Sequence, residues 1–440
     1  MKKEALQTAK IALPIILGNM SQMALGILDS AMVGAIDYVQ LAASALVINL
    51  LAIPYVAGMG MTMSISPLVA INNARGDRRA VSHYLFNGFI LCTITAILIA
   101  VGVELGRDIV FHIGQDPDVA RLSGPYLSVM AWSTVPMMMF LALKQFADGL
   151  EHTRVAMLLS MAALPINAVL NWLLIFGHWG FPRMELLGAG VATLITRILI
   201  FIALAIVILR STLFRKYVGL RRSAWQLKWT SQLELLRIGI PSSLQHGMES
   251  GAFAISGILI GRLGATQQAA HQIALNCAAF TFMVSMGLSA AGSIRISSAF
   301  GRGDWPQLRR IGTSTLFASL AYGVFCALFF VALRNVLPLA FNEDAEVLAM
   351  SGTLLLYAAF FQISDSTQAV GVGLLRGMTD VRIPTILVAI AYWILGIPVG
   401  YYFAFTRQMG APGMWIGFLT GLSFSAILLN WRFLRLSGHK

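Results

Sequence analysis

Three carboxylates stand inside runs of apolar residues long enough to cross a bilayer: Asp29, Glu249 and Asp365. An acid at that depth is costly unless it has a partner or a task. Glu249 follows Gln245 and His246 by a turn or less. Asp365 lies in Gln362-Ile-Ser-Asp365-Ser-Thr-Gln368, where polar residues three and four apart share a helix face. Gln272 and Asn276 form a polar face on another segment. Asn167 and Asn171, one turn apart, are placed to join Asp29. Carboxylate, amide and hydroxyl oxygens suit a hard cation, and a desolvated carboxylate holds a proton equally well. The competing reading of each amide is an interhelical hydrogen bond. Their concentration around acids favours a hydrated cavity, with Na+ and H+ both open as the bound species.

Other chemistries are missing. There is no Gly-x-x-x-x-Gly-Lys loop to cradle phosphates, no His-Glu-x-x-His metal pair and no Gly-x-Ser-x-Gly elbow. These absences argue against an ATP-driven pump and an intramembrane hydrolase, and no cofactor is expected beyond a coupling ion. Cys92, Cys277 and Cys326 fall inside spans, as small apolar fillers. Arg197 and Arg295 read as snorkelling or paired structural cations.

The elements that must position the acids are membrane helices. Of the 440 residues 58% are hydrophobic and 11% charged, with a mean hydropathy of +0.76, which a water-exposed surface would not tolerate. Apolar runs predict twelve spans, near 11–36, 42–71, 85–105, 124–145, 156–177 and 186–209, then 238–263, 267–298, 312–333, 348–373, 383–405 and 412–434. The first is too long, and carries an acid, for a cleavable signal. The one long polar connector holds Arg215, Lys216, Arg221, Arg222 and Lys228. It divides a first lobe, 1–209, from a second, 238–440, with 210–237 as a cytoplasmic basic linker.

The formal charge of +12 sits in loops of one side, from Lys2, Lys3 and Lys10 through Arg75, Arg78 and Arg79 to Arg302, Arg309 and Arg310, ending at Arg432, Arg435 and Lys440. That is a topology signal, not a nucleic-acid surface, and it places both termini in the cytoplasm. The halves also repeat at a constant offset of 227. Pro14 meets Pro241, Gly34 meets Gly261, Gln40 meets Gln267, Asn49 meets Asn276, Gly60 meets Gly287, Ser66 meets Ser293 and Arg75-Gly-Asp77 meets Arg302-Gly-Asp304. Six spans each make the two repeats parallel, about an axis along the membrane normal. Asp29 falls opposite Ser256 and Glu249 opposite Gln22, so the acids are not copies of a shared feature.

The chain resembles the MATE (multidrug and toxic compound extrusion) family, in its NorM-type branch, over essentially its full length. The resemblance is carried by Pro14 with Asp29-Ser-Ala-Met-Val-Gly34, by Asp148-Gly149, and by Asn167 and Asn171-Trp172. It continues with Pro241 and Glu249, Ala269-Ala-His-Gln-Ile-Ala-Leu-Asn276, and Asp365 with Leu375-Arg-Gly377. It implies an all-α polytopic membrane protein whose two six-helix lobes form a V. The implied activity is export of organic cations in antiport with Na+ or H+. Glu249 and Asp365 match acids used for the coupling cation and for substrate; Asp29, Asn167, Asn171 and Thr193 match a first-lobe ion site. Gln272 matches a substrate-contacting amide, and Glu343 and Asp344 an acidic pair at the outer mouth. Phe361 replaces an aromatic hydroxyl of some relatives, keeping a ring for cation–π attraction. Asn171 replaces a second carboxylate, which leaves that site one formal negative charge. The implied setting is the plasma membrane, the inner one in a Gram-negative cell, for a monomer in the bilayer with no nucleic-acid partner. Export of lipid-linked or anionic metabolites on a related fold is the alternative transport reading. A membrane enzyme or scaffold would need a catalytic constellation or a large soluble loop.

Overall fold

In a computed structural model, residues 2–112, 114, 116–218 and 225–438 are described. Arg221 and Arg222 of the connector, and Lys440, lie outside the described residues. The described elements are all helical. The first half comprises α1 (Lys2–Gly34), α2 (Tyr38–Thr62), α3 (Ile65–Ala74), α4 (Arg78–Leu105), α5 (Pro117–Gly149), α6 (Thr153–Phe176), α7 (Glu185–Arg210) and the short α8 (Thr212–Val218). The second comprises α9 (Trp229–Gly261), α10 (Ala265–Arg302), α11 (Trp305–Leu333), α12 (Ala345–Gly377), α13 (Arg382–Ala389), α14 (Ile397–Tyr401) and α15 (Ala411–Gly438).

Eleven helical stretches among the described residues are long and apolar enough to cross a membrane. α9 is as long as the others, with 33 residues, and is absent from that set because Gln245, His246 and Glu249 interrupt its apolar surface.

The residues shared by the two halves turn out to be joints. Gly76 and Gly303 adopt φ of +77° and +69°, the left-handed turn that ends a helix and favours glycine. The next residue caps the following helix: Asp77 accepts from the Ala80 amide at 2.9 Å and Asp304 from the Gln307 amide at 3.0 Å. Gln40 and Gln267 act alike at a distance. Their side-chain oxygens accept from the Leu186 amide at 2.9 Å and the Ala411 amide at 2.6 Å, at the starts of α7 and α15. A Cβ on Gly149 would stand 2.8 Å from the Ser66 carbonyl, and one on Gly377 would stand 2.6 Å from that of Ser293. Both glycines allow the same close helix crossing.

The copies also differ. The expected span 42–71 is broken after Thr62, where Thr62 and Ser64 hydroxyls bond back to the Met59 and Met61 carbonyls at 2.7 and 2.8 Å. Ser289 and Ala291 stand at those positions of α10, where the Ser289 hydroxyl donates to the Ala369 carbonyl of α12 at 2.7 Å and the helix runs unbroken through 38 residues. In the eleventh span, π-helical turns at Ile390–Gly396 and Tyr402–Thr406 flank α14. Pro398 has no amide hydrogen for the regular ladder there.

Contacts divide the chain into two compact units, Met1–Ile16 with Leu244–Lys440, and Leu17–Ser243. The division thus cuts through α1 and α9, and not at the connector between the expected 1–209 and 238–440 lobes. It cuts both at the same point of the repeat. Within one unit, Arg295 holds the start of α1 through the Glu4 carboxylate, Gln7 Oε1 at 2.7 Å and Thr8 Oγ1 at 2.8 Å. Within the other, Ser243 donates to the Ala57 carbonyl at 2.6 Å. The core of the first unit is built on Phe330, Leu354, Phe361, Trp415 and Phe433. A cluster around Val47, Tyr126, Leu127 and Ile175 serves the second.

Candidate functional site

Asp29 projects from α1 toward α6 and α7, and both of its oxygens are engaged. Oδ1 accepts from Asn171 Nδ2 at 2.6 Å and Oδ2 from Thr193 Oγ1 at 2.9 Å. Asn171 also donates to Asn167 Oδ1 at 3.0 Å, and Asn167 donates to Thr193 at 3.5 Å. Asn167, Asn171 and Thr193 are all buried. The four residues expected for a first-half ion site therefore form one closed cluster. Asn171 Oδ1 is a buried acceptor with no hydrogen-bond donor among the described residues. A carboxylate with an orphaned oxygen beside it suits a hard cation, or a proton shared between oxygens.

The second cluster is built from α9 and α12. Glu249 Oε1 accepts from Gln245 Nε2 at 3.2 Å on its own helix and from Gln368 Nε2 at 3.1 Å across to α12. Asp365 is buried on the same helix as Gln368, within electrostatic reach of Glu249. Arg376, buried two to three turns further along α12, lies within electrostatic reach of Glu249. Tyr392, buried in the first π-helical turn, lies within electrostatic reach of both acids. Among the described residues no group of three or more His, Cys, Asp or Glu converges as a metal centre would require.

The remaining expected residues scatter. Gln272 donates to Asn276 at 3.1 Å on an exposed face of α10. Phe361 is only 2% exposed and its ring is packed edge-on by Trp415, Phe253 and Phe418 at 5.5, 6.2 and 6.4 Å. Its faces belong to the core, although it stands one turn before Asp365. Glu343 is exposed, and Asp344 caps α12 by accepting from the Glu346 and Val347 amides at 3.0 and 3.1 Å.

The sequence model of the MatE family matches residues 14–173 and 241–402, one block in each half. The chain belongs to the MATE family. A probable multidrug resistance protein NorM from Rhizobium meliloti is 36% identical over 97% of this chain and 92% of its own length. A multidrug resistance protein MdtK from Edwardsiella ictaluri is 31% identical over 98% and 95%. Among solved structures, the eukaryotic MATE transporter AtDTX14 superposes with a TM-score of 0.89 at 21% identity, covering 99% of this chain and 97% of that one. A transporter from Pyrococcus furiosus described as having a binding pocket of reverse polarity superposes equally well, at 0.89 and 17%. These likenesses show the fold, and the chemistry of this member must be read from its own side chains.

Two members of this MATE chain's second cluster go beyond the residues expected for binding. Gln368 was visible as a polar neighbour of Asp365 on one helix face, but its bond to Glu249 depends on the register of α9 against α12. Tyr392 left no signal, because it sits in an apolar run whose backbone becomes π-helical.

Proposed function

We propose that this protein exports small organic cations by alternating access, driven by the inward movement of Na+ or H+. The observation that carries the reading is the pair Glu249 and Asp365: two carboxylates within electrostatic reach in membrane helices, with Glu249 held by Gln368 of the helix that carries Asp365. Such a pair is stabilised when a cation arrives and is strained by its own repulsion when none does. A coupling cation and a cationic substrate then compete for the same negative charge. Entry of the first releases the second, which is the opposition that antiport needs. The Asp29 cluster supplies a second place for the coupling ion. The names of the NorM and MdtK relatives support multidrug substrates, and the NorM-type likeness favours Na+ as the coupling ion. The basic loops support placing both termini in the cytoplasm.

Purified protein in liposomes separates the possibilities. A Na+ gradient at constant pH is expected to drive export of ethidium, and a pH gradient without Na+ to drive it less. Failure of both gradients to move ethidium would sink the antiport reading, whereas export under the pH gradient alone would reassign the ion.

A further inference from the structure

On the outer flank of the second half, α11, α12 and α15 enclose a groove of about 580 Å³. Phe317 and Ile427 on its rims are 64% and 67% exposed, so in a membrane protein the groove opens on lipid. The hydroxyls that reach it are already bonded. Ser364 and Ser423 bond each other at 2.7 Å, while Thr313 and Thr367 bond carbonyls of their own helices at 2.8 Å. Asn430 donates to the Thr367 carbonyl at 3.4 Å, and its Oδ1 is buried with no donor among the described residues. The rest of the lining is apolar surface, which favours a hydrocarbon occupant over a polar one.

The repeat shows what this place holds when protein fills it. In the first half the corresponding site, between α4, α5 and α7, is reduced to about 170 Å³. There Phe86 packs on Trp225 of the connector at 5.5 Å, and Phe89 stacks on Phe201 at 6.1 Å. At the offset of 227, Phe86 and Phe89 correspond to Thr313 and Leu316. In the register set by the Gln40–Leu186 and Gln267–Ala411 bonds, Phe201 corresponds to Ala426. Three rings have become smaller side chains, and no described residue of the connector lines the second groove.

The groove also has a charged mouth. Arg309 and Arg310 precede Thr313 by one turn, and Arg435 follows Leu434 and lies over the exposed Trp431 ring at 5.4 Å. Arg309 reaches α15: a Cβ on Gly438 would be 3.8 Å from its Nη1. Among the described residues, no carboxylate lies within 4.0 Å of these three guanidinium groups. At the positions of Arg309 and Arg310 the first half has Ser82 and His83, and His83 is bonded to Ser231 of this chain at 2.8 Å. Arg435 has a first-half counterpart, Arg210, which follows Leu209 as Arg435 follows Leu434; the pair Arg309 and Arg310 is what accompanies the open groove alone. Basic side chains at the end of an apolar groove between spans match a phosphate headgroup above an acyl chain.

We propose that this groove binds an anionic phospholipid, with an acyl chain along α11, α12 and α15 and its phosphate on Arg309, Arg310 and Arg435, in the leaflet we place at the cytoplasm. Native mass spectrometry of the purified, detergent-solubilised full chain tests this with phosphatidylglycerol and phosphatidylcholine of equal chain length. The wild type is expected to retain phosphatidylglycerol preferentially. Arg309→Gln combined with Arg310→Gln should lower that retention about tenfold with an unchanged melting temperature. Ala426→Phe, which restores the first-half ring, should remove both lipids, and Leu316→Phe does the same from α11 should the first variant not fold. Three outcomes would overturn the proposal: phosphatidylglycerol retention unchanged in the arginine and ring variants, equal retention of the two lipids by the wild type, or a homodimer that Ala426→Phe dissociates.

Discussion

At the scale of single residues, the decisive question is whether Glu249 acts by its charge or by its hydrogen bonds. Glutamine keeps the size and an acceptor for Gln245 and Gln368 but removes the charge. Glu249→Gln is therefore expected to express normally and to lower ethidium efflux from cells at least tenfold; wild-type efflux would remove Glu249 from the mechanism. At the other cluster, Thr193→Val deletes one donor to Asp29 and leaves the Asn171 bond at 2.6 Å in place. A hydrogen bond to a charged group contributes about 1.5–3 kcal/mol. The variant should thus shift the ion concentration for half-maximal transport roughly tenfold without changing maximal rate at saturating ion. The Asp29 cluster was largely legible in the sequence, because a lone acid and two amides at helical spacing have few other ways to be satisfied. The role of Phe361 was not legible, since the sequence cannot say that Phe253, Trp415 and Phe418 already surround its ring.

At the scale of elements, the repeated residues are tests of packing. Gly377→Ala would force a Cβ within 2.6 Å of the Ser293 carbonyl. Overpacking of this kind costs about 1–3 kcal/mol, so a clear fall in melting temperature is expected. Gly124→Ala is the matched control, for nothing lies within 4 Å of its added Cβ, and its melting temperature should hold or rise slightly. A second element-level test lies at the turn between α5 and α6, outside the spans. Burial, and then the nearby Lys216, hold the His152 imidazole below its usual range, against an opposing pull from Glu151. The neutral ring, set edge-on to Phe214 at 5.4 Å, is thus favoured in the folded state. Its contribution is full above about pH 6.5, the ordinary value, and is lost progressively as pH falls from there through the lowered folded-state value. Melting curves of the wild type should decline from pH 7 to pH 5, and those of His152→Gln should decline less. A parallel decline in both would remove His152 as the cause. The helices were readable from apolar runs, yet the break after Thr62 and the π-helical turns were not. Each depends on whether a hydroxyl bonds back to its own helix, or on how a proline redirects a backbone ladder, and apolarity reports neither.

At the scale of the molecule, the halves share joints and differ in function. Shared residues end helices, cap them or let them cross, while Asp29, Glu249, Asp365 and the open groove each occur in one copy only. The duplication was plain in the sequence because glycine, proline and capping residues have few substitutes. The division through the middle of α1 and α9 was not, because chain connectivity does not say which side of a helix finds its contacts. A transporter built this way must still join its two acid clusters energetically. If the coupling ion and the substrate oppose one another, each must weaken the other's equilibrium binding by the same factor, whichever cluster the ion occupies. A linkage of about 1–3 kcal/mol corresponds to roughly 5–150-fold. Isothermal titration of the purified protein with tetraphenylphosphonium should therefore show that saturating Na+ raises its Kd at least about fivefold, with the reciprocal shift in Na+ affinity. Asp29→Asn then locates the site. If the competition acts directly at Glu249 and Asp365, the shift survives that substitution; if it is transmitted from the first half, the shift disappears while tetraphenylphosphonium still binds. A Kd indifferent to both Na+ and pH would leave the two clusters uncoupled and the antiport mechanism without its thermodynamic basis.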